Sequence, residues 1–151
     1  MIKEYTQTWG VSGLEKKVSD LIIKEVMDYA DEVTRDAMGN LIVLKRGNGS
    51  GKKRVMCAAH MDEIGLMVTY ISDEGFLSVS SVGGVDAAIL PGMRVDVHAS
   101  NSFEPLRGVV GRKPIHLIEP DERKNVTPID KLVIDLGMPA KRVKKLVMVG
   151  D

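Results

Sequence analysis

Leu14, Val18, Leu21, Ile22, Val26 and Tyr29 recur at the spacing that gathers side chains on one face of an α-helix. Ser12, followed three residues later by Glu15, reads as a capping box. Together they predict an amphipathic helix from about Gly13 to Ala30. Asp36-Ala-Met-Gly39-Asn40 is a turn, because Gly and Asn accept positive φ at little cost, and Leu41 to Leu44 behind it is a strand. Gly47 to Gly51 makes a flexible loop. Val55 to Ala59 is apolar at every position, the pattern of a strand covered on both faces in a helix-flanked sheet. The first third of the chain is therefore α/β.

After Gly65 the period changes to short strands separated by turns. Leu66 to Ile71, Phe76 to Ser80, Met93 to His98 and Leu106 to Val110 alternate, with Asp73-Glu74-Gly75 and Gly83-Gly84 between them. This region is all-β, and its closely spaced strands favour a compact barrel or sandwich. Leu132 to Leu136 adds a strand, and Pro139 to Leu146 a short helix with proline in its first turn. No internal repeat and no low-complexity stretch interrupts the pattern.

Composition narrows the setting. A chain of 151 residues, 44% of them hydrophobic, can bury a core in one or two small domains. Its 21 basic and 21 acidic side chains cancel, so no net field draws nucleic acid or anionic lipid to the surface. The single cysteine, Cys57, rules out an intramolecular disulfide and reads as a small buried hydrophobe inside its apolar run. No leader-like apolar stretch follows Met1 and no segment has the length to span a bilayer, so the cytoplasm is the expected location.

The candidate chemistry lies at His60 and Asp62, an imidazole and a carboxylate ending the apolar Val55 to Ala59 run. Ligands gather outside the carboxyl ends of strands in open α/β sheets. Asp62 is placed to accept the second imidazole N–H, fixing the tautomer of a coordinating histidine; losing such a partner typically costs roughly 10- to 100-fold in metal affinity or activity. His-x-Asp spacing alone is a weak motif and favours a strand-end histidine paired with a nearby acid over a ligand. His98 alternates with apolar residues and reads as a strand residue facing solvent or an interface. Asp86 shapes the turn after Gly83-Gly84, Glu63 is structural, and Lys141, Arg142, Lys144 and Lys145 form the solvated face of the last helix.

Five motifs occur in order: Gly10-Val-Ser-Gly13-x-Glu15, Asp36-x-x-Gly39-Asn40, Ala58-Ala59-His60-Met61-Asp62-Glu63-Ile64-Gly65, Val82-Gly83-Gly84-Val85-Asp86 and Gly108-Val-Val-Gly111-x-Lys113-Pro114-x-His116. With them the chain resembles the M42 family of metallo-aminopeptidases, the glutamyl aminopeptidases and TET peptidases sometimes described as endoglucanases. The resemblance implies that His60 ligates one metal of a two-metal centre, zinc or cobalt, and that Asp62 is the catalytic acid that orients it. Metals in such centres polarise the peptide carbonyl and lower the pKa of a bridging water. The family's bridging aspartate, paired glutamates, further aspartate and last histidine would fall beyond Asp151, so at most one partial metal site is expected here. His116 follows Ile115, where related proteins usually carry a second proline, and would make a substrate-pocket or subunit contact. The residues that bind substrate are not identified.

The resemblance also implies a domain plan. Residues 1–68 would be the N-terminal part of a zinc-peptidase-like α/β catalytic domain with one helix and two or three strands. Residues 69–149 would be an inserted PDZ-like β-barrel that dimerises within a homo-oligomer. Two functions follow as expectations. One is the N-terminal portion of an aminopeptidase acting on peptides, inactive alone; the other is a non-catalytic assembly module derived from such an enzyme.

Overall fold

A computed structural model describes residues 2–49, 51 and 53–151. The chain divides into two compact units, Met1–Ile64 and Gly65–Asp151. The sequence boundary at residue 68 thus falls inside the first strand of the second unit.

The first unit contains helices α1 (Ile2–Gln7) and α2 (Lys16–Val26) and a two-stranded antiparallel hairpin, β1 (Glu32–Arg35) and β2 (Leu41–Leu44). α2 is shorter than its apolar pattern because its start is set elsewhere. Glu15 occupies the N-cap without a side-chain bond to the helix, and its carboxylate accepts the Gly13 N–H at 2.7 Å instead. The predicted capping box does not form, since the Ser12 hydroxyl is engaged outside the helix. Val18 and Ser19 are buried, and Ser19 Oγ accepts the Arg35 Nε–H at 2.8 Å, tying α2 to β1. Arg35 also pairs with Asp20, which binds Lys16 one turn away at 2.7 Å.

The hairpin is closed by Asp36, whose Oδ1 accepts the Met38 and Asn40 N–H groups, both at 2.9 Å, while Oδ2 accepts the Asn40 amide at 2.7 Å. These bonds, the Asn40 side-chain amide first, hold the Asp36 carboxyl below the usual carboxylate range. Gly39 takes the positive φ; Asn40 does not.

Val55 to Ala59 is not a strand. Residues 53–62 carry no regular structure, and Val55 and Met56 are each 88% exposed. Cys57 is exposed rather than buried. A strand apolar on both faces needs neighbours for its N–H and C=O groups and layers over both surfaces. No strand among the described residues pairs with this one.

The second unit is a five-stranded antiparallel sheet of β3 (Gly65–Ile71), β4 (Leu77–Val82), β5 (Arg94–Val97), β6 (Leu106–Gly111) and β7 (Val133–Asp135), in the order β3-β4-β7-β6-β5. The late strand β7 enters between β4 and β6, opposing Ile134 to both Leu77 and Val110. Leu77, Val79, Val110 and Ile134 point to one side and are 0–3% exposed, the alternation expected of a sheet with one packed face. Helix α3 (Ala140–Leu146) contributes Val143, fully buried in that core, and Pro139 stands at its N-cap. Its Lys141, Arg142, Lys144 and Lys145 are exposed, and Lys144 reaches Asp73 in the β3–β4 turn at 2.7 Å. The ion pair pushes the Asp73 carboxyl down and the Lys144 ammonium up from their ordinary values.

The end of the unit returns to its beginning. The Val68 N–H donates to the Asp151 carbonyl at 2.8 Å, and the Gly150 N–H donates to the Val68 carbonyl at 2.9 Å. The Asp151 carboxylate accepts the Met148 N–H at 2.7 Å and the Ser100 N–H at 3.1 Å, and also binds the Ser100 hydroxyl. No helix among the described residues is long and apolar enough to cross a membrane.

Candidate metal centre

His60 and Asp62 lie in the irregular segment before β3, so a strand does not position them; a strap across the first unit does. Val11 and Glu63 form an isolated parallel bridge. The Glu63 N–H donates to the Gly10 carbonyl at 2.9 Å, and the Gly10 N–H donates to Glu63 Oε1 at 3.0 Å. Glu63 therefore holds the Gly10-Val11-Ser12 backbone against residues 60–63 with both its main chain and its side chain. Gly10 is buried, and a Cβ there would stand 2.5 Å from Val18 Cγ2 of α2.

The strap delivers Ser12 to Asp62. The Ser12 hydroxyl donates to Asp62 Oδ2, and Asp62 Oδ1 lies 3.0 Å from His60 Nδ1. The Asp62 carbonyl oxygen is also 3.0 Å from Nδ1. These bonds, the Ser12 hydroxyl first and then the imidazole, hold the Asp62 carboxyl below its usual range.

The tautomer follows from donor and acceptor chemistry. Both atoms facing Nδ1 are oxygens, and a carbonyl or an ionised carboxylate only accepts, so Nδ1 carries the proton. In the neutral ring Nε2 then presents its lone pair away from Asp62. The His60 side chain is 84% exposed, so that lone pair meets solvent.

An exposed imidazole locked by a carboxylate fits one ligand of a divalent ion of the zinc and cobalt kind. Among the described residues, no group of three His, Cys, Asp or Glu side chains comes together that could hold a metal, so the donor set fits one corner of a centre and no more. His98 follows β5 in the second unit and is half-buried. His116 is exposed in a short 3-10 turn, Ile115–Leu117. Asp86 shapes a turn, its Oδ1 accepting the Ala88 N–H at 2.9 Å.

Sequence patterning paired His60 with Asp62 but read Ser12 as a helix cap and gave Gly10 no part in the site. Gly10→Ala is expected to destabilise the first unit by about 1–3 kcal/mol, because Val18 is β-branched and stiff and cannot swing clear of the new methyl. Denaturant titrations of Gly10→Ala, Val18→Ala and the double variant check this. The double variant should be less destabilised than the two singles together; simple additivity would remove the clash as the cause.

The Peptidase M42 model, described as M42 glutamyl aminopeptidase, matches residues 39–151. The chain is 34% identical over 143 residues to the lysyl aminopeptidase of Pyrococcus furiosus, covering 93% of this chain and 40% of that protein. Among solved structures it is similar to a TET aminopeptidase from a marine sediment Thaumarchaeota archaeon, with a TM-score of 0.89, 33% identity and coverage of 99% of this chain and 42% of that one. It is also similar to the Pyrococcus horikoshii TET1 peptidase, which can assemble into a tetrahedron or a large octahedral shell, with a TM-score of 0.80, 41% identity and coverage of 99% and 44%. The chain thus spans less than half the length of the relatives it matches.

Proposed function

The chain belongs to the M42 glutamyl aminopeptidase family, and from that premise we propose that it supplies His60 as one ligand, and Asp62 as the acid that orients it, to a metal-dependent aminopeptidase removing N-terminal residues from peptides. The observation that carries this reading is the Asp62 carboxylate bonded to His60 Nδ1, which leaves Nε2 to coordinate. Zinc or cobalt, when bound there with a second ion, would polarise a peptide carbonyl and bring a bound water's pKa toward neutrality. This chain's residues hold the imidazole in one tautomer and one orientation. The remaining ligands and the general base come from residues outside it, and the assemblies of the Pyrococcus horikoshii TET1 peptidase support a homo-oligomer.

A second reading, a non-catalytic assembly module, is favoured by the second unit's own sheet and buried core. One preparation separates the two readings and tests the first. The purified 151-residue chain is expected to bind one zinc or cobalt ion, weakly, at His60, to leave aminoacyl anilides uncleaved, and to sediment above its monomer mass. Two ions bound stoichiometrically, or chelator-sensitive turnover, would show that the ligand set is not divided as proposed. No ion at His60 would favour the assembly module, and a monomer would remove the oligomer.

A further inference from the structure

The Ser12 hydroxyl is fifty residues from Asp62 in sequence and donates to the carboxylate oxygen that His60 does not use. Each Asp62 oxygen is thus committed to a different partner, and the carboxylate plane is fixed from both sides. The backbone strap explains why Ser12 stands there: Gly10 and Val11, just before it, are bound to Glu63, just after Asp62. Ser12 has no role in capping α2, where Glu15 is the N-cap residue. Its bond to an ionised acceptor is stronger than a neutral cap bond.

We infer that Ser12 is a positioning residue for the metal ligand: by holding the Asp62 carboxylate against His60 Nδ1 it selects the tautomer whose Nε2 lone pair is open for a divalent cation. This rests on the reading of His60 as a ligand. Free histidine in water favours the opposite tautomer, with the proton on Nε2, so the local structure has to reverse a preference rather than follow one. Asp62 supplies both acceptors for the Nδ1 proton, its main-chain carbonyl oxygen and its Oδ1, each 3.0 Å away. Ser12 keeps the second of these from rotating away, which matters because the Asp62 side chain is 39% exposed and open to water.

The test is 15N NMR of imidazole-labelled protein, at a pH high enough that the ring is neutral, comparing wild type, Ser12→Ala and Ser12→Thr. In the wild type His60 Nδ1 should show the shift of a protonated ring nitrogen and Nε2 that of an unprotonated one. Ser12→Ala should move the tautomer ratio roughly three- to tenfold toward Nε2–H, the scale of losing one hydrogen bond. Ser12→Thr, which keeps the hydroxyl, should restore the ratio. His98 and His116 serve as internal references whose ratios stay fixed. An unchanged His60 ratio in Ser12→Ala overturns the inference, even if the variant is less stable, because a merely structural serine would alter stability without moving the tautomer. Zinc added to the wild type decides the underlying reading separately. If His60 Nε2 responds no earlier than the exposed His116, His60 is not the ligand, whatever Ser12→Ala does to the tautomer.

Discussion

Leu77→Ala should lower the stability of the second unit by about 3–5 kcal/mol, the range for emptying a fully enclosed leucine site whose walls collapse only partly. Leu77 is 0% exposed, and its strand β4 is flanked on both edges by β3 and β7. It faces Ile134 across the ladder, itself 3% exposed, so the removed atoms leave a void bounded by sheet that is hydrogen-bonded along its length. Val109→Ala is the matched control, because Val109 is 45% exposed on the outer side of β6 and should cost well under 1 kcal/mol. Urea titrations with unchanged m-values would measure both. A Leu77→Ala loss as small as that of Val109→Ala would mean that the core is not packed around β4.

Gly75→Ala should cost about 2–5 kcal/mol for two separable reasons. The residue sits at φ +93° in the β3–β4 turn, where a side chain costs about 1–2 kcal/mol by itself. A Cβ there would also stand 2.9 Å from Ala140 Cα, a main-chain atom at the start of α3 that cannot rotate away. Gly92→Ala isolates the first term, since Gly92 has a φ of +86° with nothing within 4 Å of its would-be Cβ. The excess of Gly75→Ala over Gly92→Ala therefore measures the approach of α3 to the turn, the place where Lys144 also reaches Asp73. Equal losses in the two variants would show that the helix yields and that the close contact carries no weight.

Local pattern and pairing contributed differently to what could be read from sequence. β3 to β7 were legible from alternating side chains between turns, and β2 as an apolar run behind the Asp36–Asn40 turn. β1 was not, since Glu32-Val33-Thr34-Arg35 has no apolar alternation and three of its four residues are exposed. It is a strand because the Asp36 turn folds Leu41 to Leu44 back on it. Val55 to Ala59 failed in the opposite sense: its composition specifies cover on both faces, and cover depends on pairing partners that a local pattern does not contain. His60 and Asp62 were legible as a pair because Met61 alone separates them. Ser12 was misread for a physical reason. Ser-x-x-Glu is a genuine capping signature, in which the serine oxygen accepts a helix N–H, but the Gly10–Glu63 strap places Ser12 where its hydroxyl donates to an ionised carboxylate instead.

The two hydrogen bonds between Val68 and the Gly150–Asp151 pair hold the first strand of the second unit beside the residues that follow α3. Closing a host chain around such a unit costs no more than closing a short loop, because the host sees two adjacent ends rather than a long flexible excursion. The unit is therefore shaped as a transplantable cassette. A surface turn of an unrelated scaffold could accept it without being stretched, and joining its own ends by a brief linker would open every one of its existing turns as a new terminus.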